Sequence, residues 1–154
     1  MLPFRSQPPA PRLPPGYRLE WQPSLQGSDL VEGLDRLLAL CGDRPRGEVL
    51  WQRVLQHSSW HLLVQDEGER PVGFLRATSD QALNANLWDL LSDPADPGRE
   101  EVITALVQTG LARLRRELGG CSISLSAPPE SLRVLTRAGF LVDPGGIRAM
   151  GLEL

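Results

Sequence analysis

The sequence predicts a mixed α/β domain, an α+β arrangement in which one mixed sheet is covered by helices on both faces. Two observations carry this prediction. Short β-type runs alternate with amphipathic helical runs in the order β-α-α-β-β-β-α-β-α-β. The central runs WHLLVQ and PVGFLRAT flank an acidic turn, DEGER, as the strands of a hairpin with a loop longer than two residues do.

Each element has its own local reason. Residues 1–16, MLPFRSQPPAPRLPPG, hold six of the 14 prolines, too many for helix or interior strand, and predict a disordered leader ahead of a single domain over 17–154. YRLEWQP alternates like a short strand and stops at Pro23. Asp29 and Glu32 stand at capping-box spacing before a helix with Leu30, Leu34, Leu37 and Leu38 on one face, and Gly42 ends it. A second helix is expected over Glu48 to Gln56, burying Leu50, Val54 and Leu55. After the hairpin, NANLWDLLSD reads as a third central strand. The next helix carries Ile103, Leu106, Val107, Gly110, Leu111, Leu114 and Leu118 on its inner stripe, with Gly119 and Gly120 at its end. CSISLSA gives a further strand and SLRVLTRA a short helix closed by Gly139, and strand-like segments around DPGG end the chain.

Composition bounds the function. A length of 154 residues suffices for one core. A formal charge of −3 lacks the basic surplus of a nucleic-acid binder. Every cationic residue is Arg, so no lysine amine is available as a Schiff-base former or catalytic base. Cys41 and Cys121 lack a CxxC partner and read as free thiols of a reducing compartment. With no apolar run near the roughly 20 residues of a membrane span, the expectation is a cytoplasmic protein with no membrane partner.

The element order, with GFLRATSD (Gly73–Asp80), ANLWDLLSDP (Ala85–Pro94) and AGFLVDPGGIRAM (Ala138–Met150), resembles the GNAT N-acetyltransferase superfamily, most closely its cyanobacterial and plastid branch. The likeness runs from about Leu40 to Met150. It implies a mixed sheet of about seven strands flanked by about four helices, splayed between the fourth and fifth strands. Acetyl-CoA would lie in that V, its pantetheine arm on the backbone of Leu90, Leu91 and Ser92. The cofactor's pyrophosphate would rest on the start of the following helix, near Gly98 and Arg99. An amine attacks the thioester directly, with a carboxylate or water as base and often a tyrosine protonating the thiolate.

The sequence departs from that pattern at two places. An ungapped alignment from Asp93 puts Pro97 where the phosphate loop has Gln or Arg, and Glu100 and Val102 where it has its two glycines. Pro97 has no N–H to give. A carboxylate about 5 Å from a phosphate charge costs roughly 3 kcal/mol at an effective dielectric near 20. The same letters suit a self-satisfied helix start, with Asp96 as N-cap, Pro97 as first helical residue and Glu100 and Glu101 at the positive end of the dipole. Leu135 stands at the tyrosine position and cannot donate a proton.

Asp89 is the surviving general-base candidate if burial raises its pKa; the plain alternative is a structural carboxylate bonded to backbone or an Arg. Arg76, Ser79 and Asp80 either line an acceptor pocket or close a strand. His57 and His61 straddle an element boundary and lack a third ligand, so no metal is implied. Ser122, Ser124 and Ser126 have no triad partners. Trp21, Trp51, Trp60 and Trp88 are expected in the core, with Trp51 a possible partner anchor. Two readings follow. One is a GNAT-like protein with weakened or lost transfer, acting as a binding or regulatory module with a protein partner and no cofactor. The other is an active transferase moving acetyl from acetyl-CoA to a protein or small-molecule amine.

Overall fold

The computed structural model describes residues 11–25, 27–148 and 150–152. The elements are β1 (Arg18–Trp21), α1 (Ser28–Leu40), α2 (Gly47–Gln56), β2 (Trp60–Gln65), β3 (Pro71–Ser79), β4 (Asn84–Ser92), α3 (Arg99–Glu117), β5 (Ser122–Leu125) and α4 (Leu132–Arg137). The strands form one sheet in chain order β1-β2-β3-β4-β5. The first four are antiparallel to their neighbours, and β5 lies parallel to β4.

The sheet is buried on both faces by alternation of its side chains. Leu62, Val64, Leu75, Ala77 and Leu87 point to α3 and α4, where Val102, Ile103, Leu106, Val107 and Leu135 meet them. Leu63, Phe74 and Leu91 point the other way, to Leu34, Leu37 and Leu38 of α1 and Trp51 of α2. Gly73 sets how closely α3 approaches: a Cβ there would lie 2.3 Å from Val102 Cγ1. A strand glycine of this kind marks a close approach by another element.

Several expectations are corrected. The closing segments around DPGG form no strand among the described residues; Pro144–Gly146 is a short 3₁₀ turn, so the sheet has five strands rather than about seven. In α2 it is Trp51 that is fully buried, while Leu50 is half-exposed, so Trp51 is no free partner anchor. Trp88 is 43% exposed and donates to Thr78 Oγ1 instead of filling the core. Of the leader expected over residues 1–16, residues 1–10 lie outside the described residues, whereas Leu13 packs on the α3-side core. Pro14 lies against Gly98, and its carbonyl accepts the Tyr17 amide. No described helix is long and apolar enough to cross a membrane.

Tyr17 ties the start of β1 to the turn before α3, its hydroxyl donating to Asp96 Oδ2 at 2.8 Å. Burial and that carboxylate push the phenol up to about 12. A raised acid pKa means stabilisation present below the unfolded value near 10 and lost as pH climbs through 12. Because Tyr17 is the only tyrosine, tyrosinate absorbance reads it directly. Its midpoint is expected near 12, and Tyr17→Phe should flatten the alkaline loss of stability over that window; a midpoint near 10 would refute the Tyr17–Asp96 bond.

Candidate active-site cleft

β4 and β5 stay paired only from Asn84↔Ser122 to Leu87↔Leu125. Beyond that register β4 continues through Trp88 to Ser92, while the chain after β5 turns at Pro128 and Pro129. A bulge in β4 opposite Phe74 and Arg76 coincides with a left-handed Asp89 (φ 52). The two strands therefore open into a V, walled by the end of β4 and the segment around Glu130, with α3 starting at its mouth.

Arg99, the first residue of α3, bridges that V. Its Nε donates to Ser92 Oγ at 2.9 Å and its Nη2 to the Ser92 carbonyl at 3.4 Å. The same Nη2 reaches Glu130 Oε1 on the opposite wall at 2.8 Å. The Cys41 thiol also donates to the Ser92 carbonyl, and its pKa is raised by burial. Leu90 and Leu91 are 7% and 4% exposed and belong to opposite core clusters. Ser92 is buried. Of the residues expected along a pantetheine arm, two are packed and the third has its carbonyl engaged.

The start of α3 differs from expectation in detail. The helix begins at Arg99 with Gly98 as its cap residue, and no side chain caps it. Asp96 instead holds the preceding turn, its Oδ1 accepting the Gly98 amide at 2.7 Å and its carbonyl accepting the Arg99 amide at 3.2 Å. Pro97 therefore precedes the helix. Val102 is fully buried against Gly73 and does not enter the loop at all. Glu100 leans toward α4, 3.0 Å from Arg137 and 3.9 Å from Arg133. With Arg99, Ile103, Glu130, Arg133 and Val134 it lines a cleft of about 220 Å³.

On the α1–α2 side of the sheet, Asp89 is clasped by two guanidiniums. Arg46 makes a two-pronged pair with it at 2.7 and 2.8 Å, and Arg76 Nε bonds it at 2.5 Å. Burial alone would raise this carboxyl; the bonds from Arg46 and Arg76 outweigh it and hold the group below its ordinary value. A general base needs the opposite shift, and the bonds match the other expectation for Asp89, a carboxylate bonded to Arg. Sequence reading missed Arg46. It is set by Asp35 of α1, whose carboxylate accepts the Arg46 and Gly47 amides and the Trp51 indole.

The remaining candidates resolve locally. Arg76 is committed to Asp89 and lies 5.7 Å from the Trp88 ring. Ser79 donates to the Asn84 carbonyl, and Asp80 accepts the amides of Ala82, Leu83 and Asn84. Those amides lower the Asp80 carboxyl strongly. Both residues close the β3–β4 hairpin. His57 is exposed, whereas His61 is buried with Nε2 on the Pro23 carbonyl, so the two do not converge. Leu135 is buried in the α3-side core.

A mixed sheet that opens between a parallel fourth and fifth strand, with a helix starting at the mouth, defines the GNAT acyltransferase fold. A probable acetyltransferase from meticillin-resistant Staphylococcus aureus superposes with a TM-score of 0.74 at 14% identity, over 90% of this chain and 99% of that one. A putative acetyltransferase from Deinococcus radiodurans gives 0.61 at 23%, over 88% and 87%. At such identities the likeness is one of fold. No protein-family model matches the sequence.

The particular relatives are closer in sequence. The chain is 32% identical over 124 residues to the chloroplastic GCN5-related N-acetyltransferase 1 of Arabidopsis thaliana, covering 78% of this chain and 60% of that protein. It is 35% identical over 99 residues to an uncharacterized N-acetyltransferase of Porphyra purpurea, covering 62% and 56%. The chain thus spans about three fifths of these relatives' length. It is a homologue of the plastid-type GNAT N-acetyltransferases.

Proposed function

We propose that this chain is a GNAT-fold protein in which acetyl-CoA-dependent transfer is weakened or lost and the domain serves as a binding or regulatory module for a protein partner. The observation that carries the reading is the Arg99 bridge from Ser92 to Glu130. Acetyl-CoA does not fit the residues as they stand. A pantetheine amide would compete with Arg99 and Cys41 for the Ser92 carbonyl. A diphosphate would have to compete with Glu130 for Arg99 and with Glu100 for Arg133 and Arg137, and the Gly98 and Arg99 amides already bond Asp96. In a helix starting at Arg99, at most the amides of Glu100 and Glu101 remain for an anion. We assign the chain to a reducing compartment, cytosol or plastid stroma, on its two free thiols and the chloroplastic relatives.

Titration calorimetry with acetyl-CoA tests the reading. The wild-type chain is expected to give no heat at millimolar ligand. Saturable binding, with the coenzyme seated along Ser92 and Gly98, would overturn the proposal. A specific observation favours the other reading: the β4–β5 opening persists, and the relatives include the chloroplastic serotonin N-acetyltransferase 2 of Oryza sativa, 32% identical over 123 residues. An active enzyme would move acetyl to a protein or small-molecule amine, and turnover in a coupled thiol-release assay would establish it.

A further inference from the structure

Glu130 stands where an anionic ligand of Arg99 would stand. Its Oε1 accepts Arg99 Nη2 at 2.8 Å across the mouth of the V. Arg99 is held from the opposite wall by Ser92, through Nε at 2.9 Å, so the guanidinium has an anchor on β4 that does not involve Glu130. Among the described residues its Nη1 has no hydrogen-bond partner. The contact with Glu130 is single-pronged, and the two side chains are 28% and 26% exposed. A guanidinium grips carboxylate and phosphate through the same fork of N–H groups. The carboxylate is thus a chemical stand-in for a phosphoryl oxygen on the cation at the start of α3.

Glu130 is delivered there by packed backbone. It belongs to the 3₁₀ turn Pro129–Ser131, which leads directly into α4. Ser131 is fully buried, with its amide at 2.9 Å and its hydroxyl at 2.7 Å from the Pro128 carbonyl. Val134 and Leu135, just beyond, sit in the α3-side core. A group tethered in this way competes at an effective concentration on the order of millimolar or above. Glu100 lines the same cleft but turns to Arg133 and Arg137 and leaves Arg99 alone.

We propose that the Arg99–Glu130 contact is autoinhibitory: the Glu130 carboxylate is a built-in anion that competes with an external diphosphate for Arg99 and keeps the V shut. The latch deepens the weakened-transfer reading of this cleft and rests on it, yet the two can fail apart. Weakened transfer needs only poor binding, whereas a latch must be releasable. The affinity for an outside anion falls by the fraction of time Arg99 is free, and removing the competitor restores that factor. The Asp96 and Cys41 contacts stay in place, so the recovery is partial.

Titration calorimetry of the full chain with acetyl-CoA tests the latch. Glu130→Gln removes the charge and keeps the side chain's shape, and it is expected to bind at least about tenfold more tightly than wild type. Inorganic pyrophosphate should displace the ligand, which puts the gain at the diphosphate. Glu130→Ala is the second variant, should glutamine disturb the turn, and is expected to gain at least as much. Adding Arg99→Gln to Glu130→Gln should abolish the gain, because Glu130 acts through Arg99. Glu100→Gln removes a carboxylate from the same cleft without touching Arg99, and should change affinity by less than about threefold. No binding by Glu130→Gln or Glu130→Ala overturns the latch and leaves weakened transfer standing. Equal saturable binding by wild type and Glu130→Gln overturns both. A gain that survives Arg99→Gln, or that Glu100→Gln reproduces, overturns the latch alone, since charge in the cleft and not the contact would then set the affinity.

Discussion

Asp89→Asn is expected to lower the unfolding free energy by about 3 kcal/mol near neutral pH, the low end of what removing one partner from a buried ion pair costs. The Asp89, Arg76 and Arg46 side chains are only 12%, 16% and 21% exposed, so the two guanidiniums would face each other with little water. Asparagine is the informative replacement because Asp89 sits at φ 52, a conformation that Asn tolerates. Asp89→Ala should cost about 1 kcal/mol more for the left-handed backbone. The pH dependence follows from the depressed carboxyl. The stabilisation is complete above the unfolded pKa of about 3.9 and is lost as pH falls through the folded value. Urea melts of wild type and Asp89→Asn should therefore begin to converge as pH falls below about 4 and meet only below the depressed folded value. A gap under about 1 kcal/mol at neutral pH would mean the cluster is solvated like a surface pair. For function, a carboxyl held ionised by two arginines is a weak proton acceptor at neutral pH.

How much of this was legible depends on how local each signal is. The periodic leucines of α1 and the long stripe of α3 announce their buried faces, and Leu34, Leu37, Leu38, Leu106 and Leu114 are at 0–1% exposure. The burial of α2 was not legible, because its orientation is set by Asp35 from α1, whose bonds to Gly47 and the Trp51 indole turn Trp51 inward. Such a pairing has no spacing to read. The Arg99–Glu130 bridge is of the same kind, spanning 31 residues between different elements. The closing strands are missing for another reason: apolar alternation specifies a strand only when an edge receives it, and among the described residues no edge pairs with that segment. Val102 was misplaced although its signal was present. Gly73 inside PVGFL marks a close approach, and Val102 is the group that approaches.

That pairing makes the phosphate loop hard to restore. Val102→Gly puts back the residue that a diphosphate cradle has at this place in the alignment, and it is expected to destabilise the fold by about 3 kcal/mol. Of this, roughly 1.5–3 kcal/mol comes from losing a fully buried valine and about 1 kcal/mol from glycine within a helix. Neither loss is offset nearby, because the void would open between Gly73 and Leu106, both already in the packed core. For a chain of this size the melting temperature should drop by roughly 6–12 °C. Glu100→Gly is the control. Its side chain is 52% exposed and, among the described residues, pairs with Arg133 and Arg137 at the surface, so its cost should stay near the propensity difference, under about 1 kcal/mol. Thermal melts of the two variants decide the matter. If Val102→Gly melts like Glu100→Gly, then Val102 is a replaceable loop side chain and the helix start could return to a cradle by small steps. If the predicted gap appears, the α3 start has become part of the core, and recovering the glycine would require Gly73 to be filled in the same step.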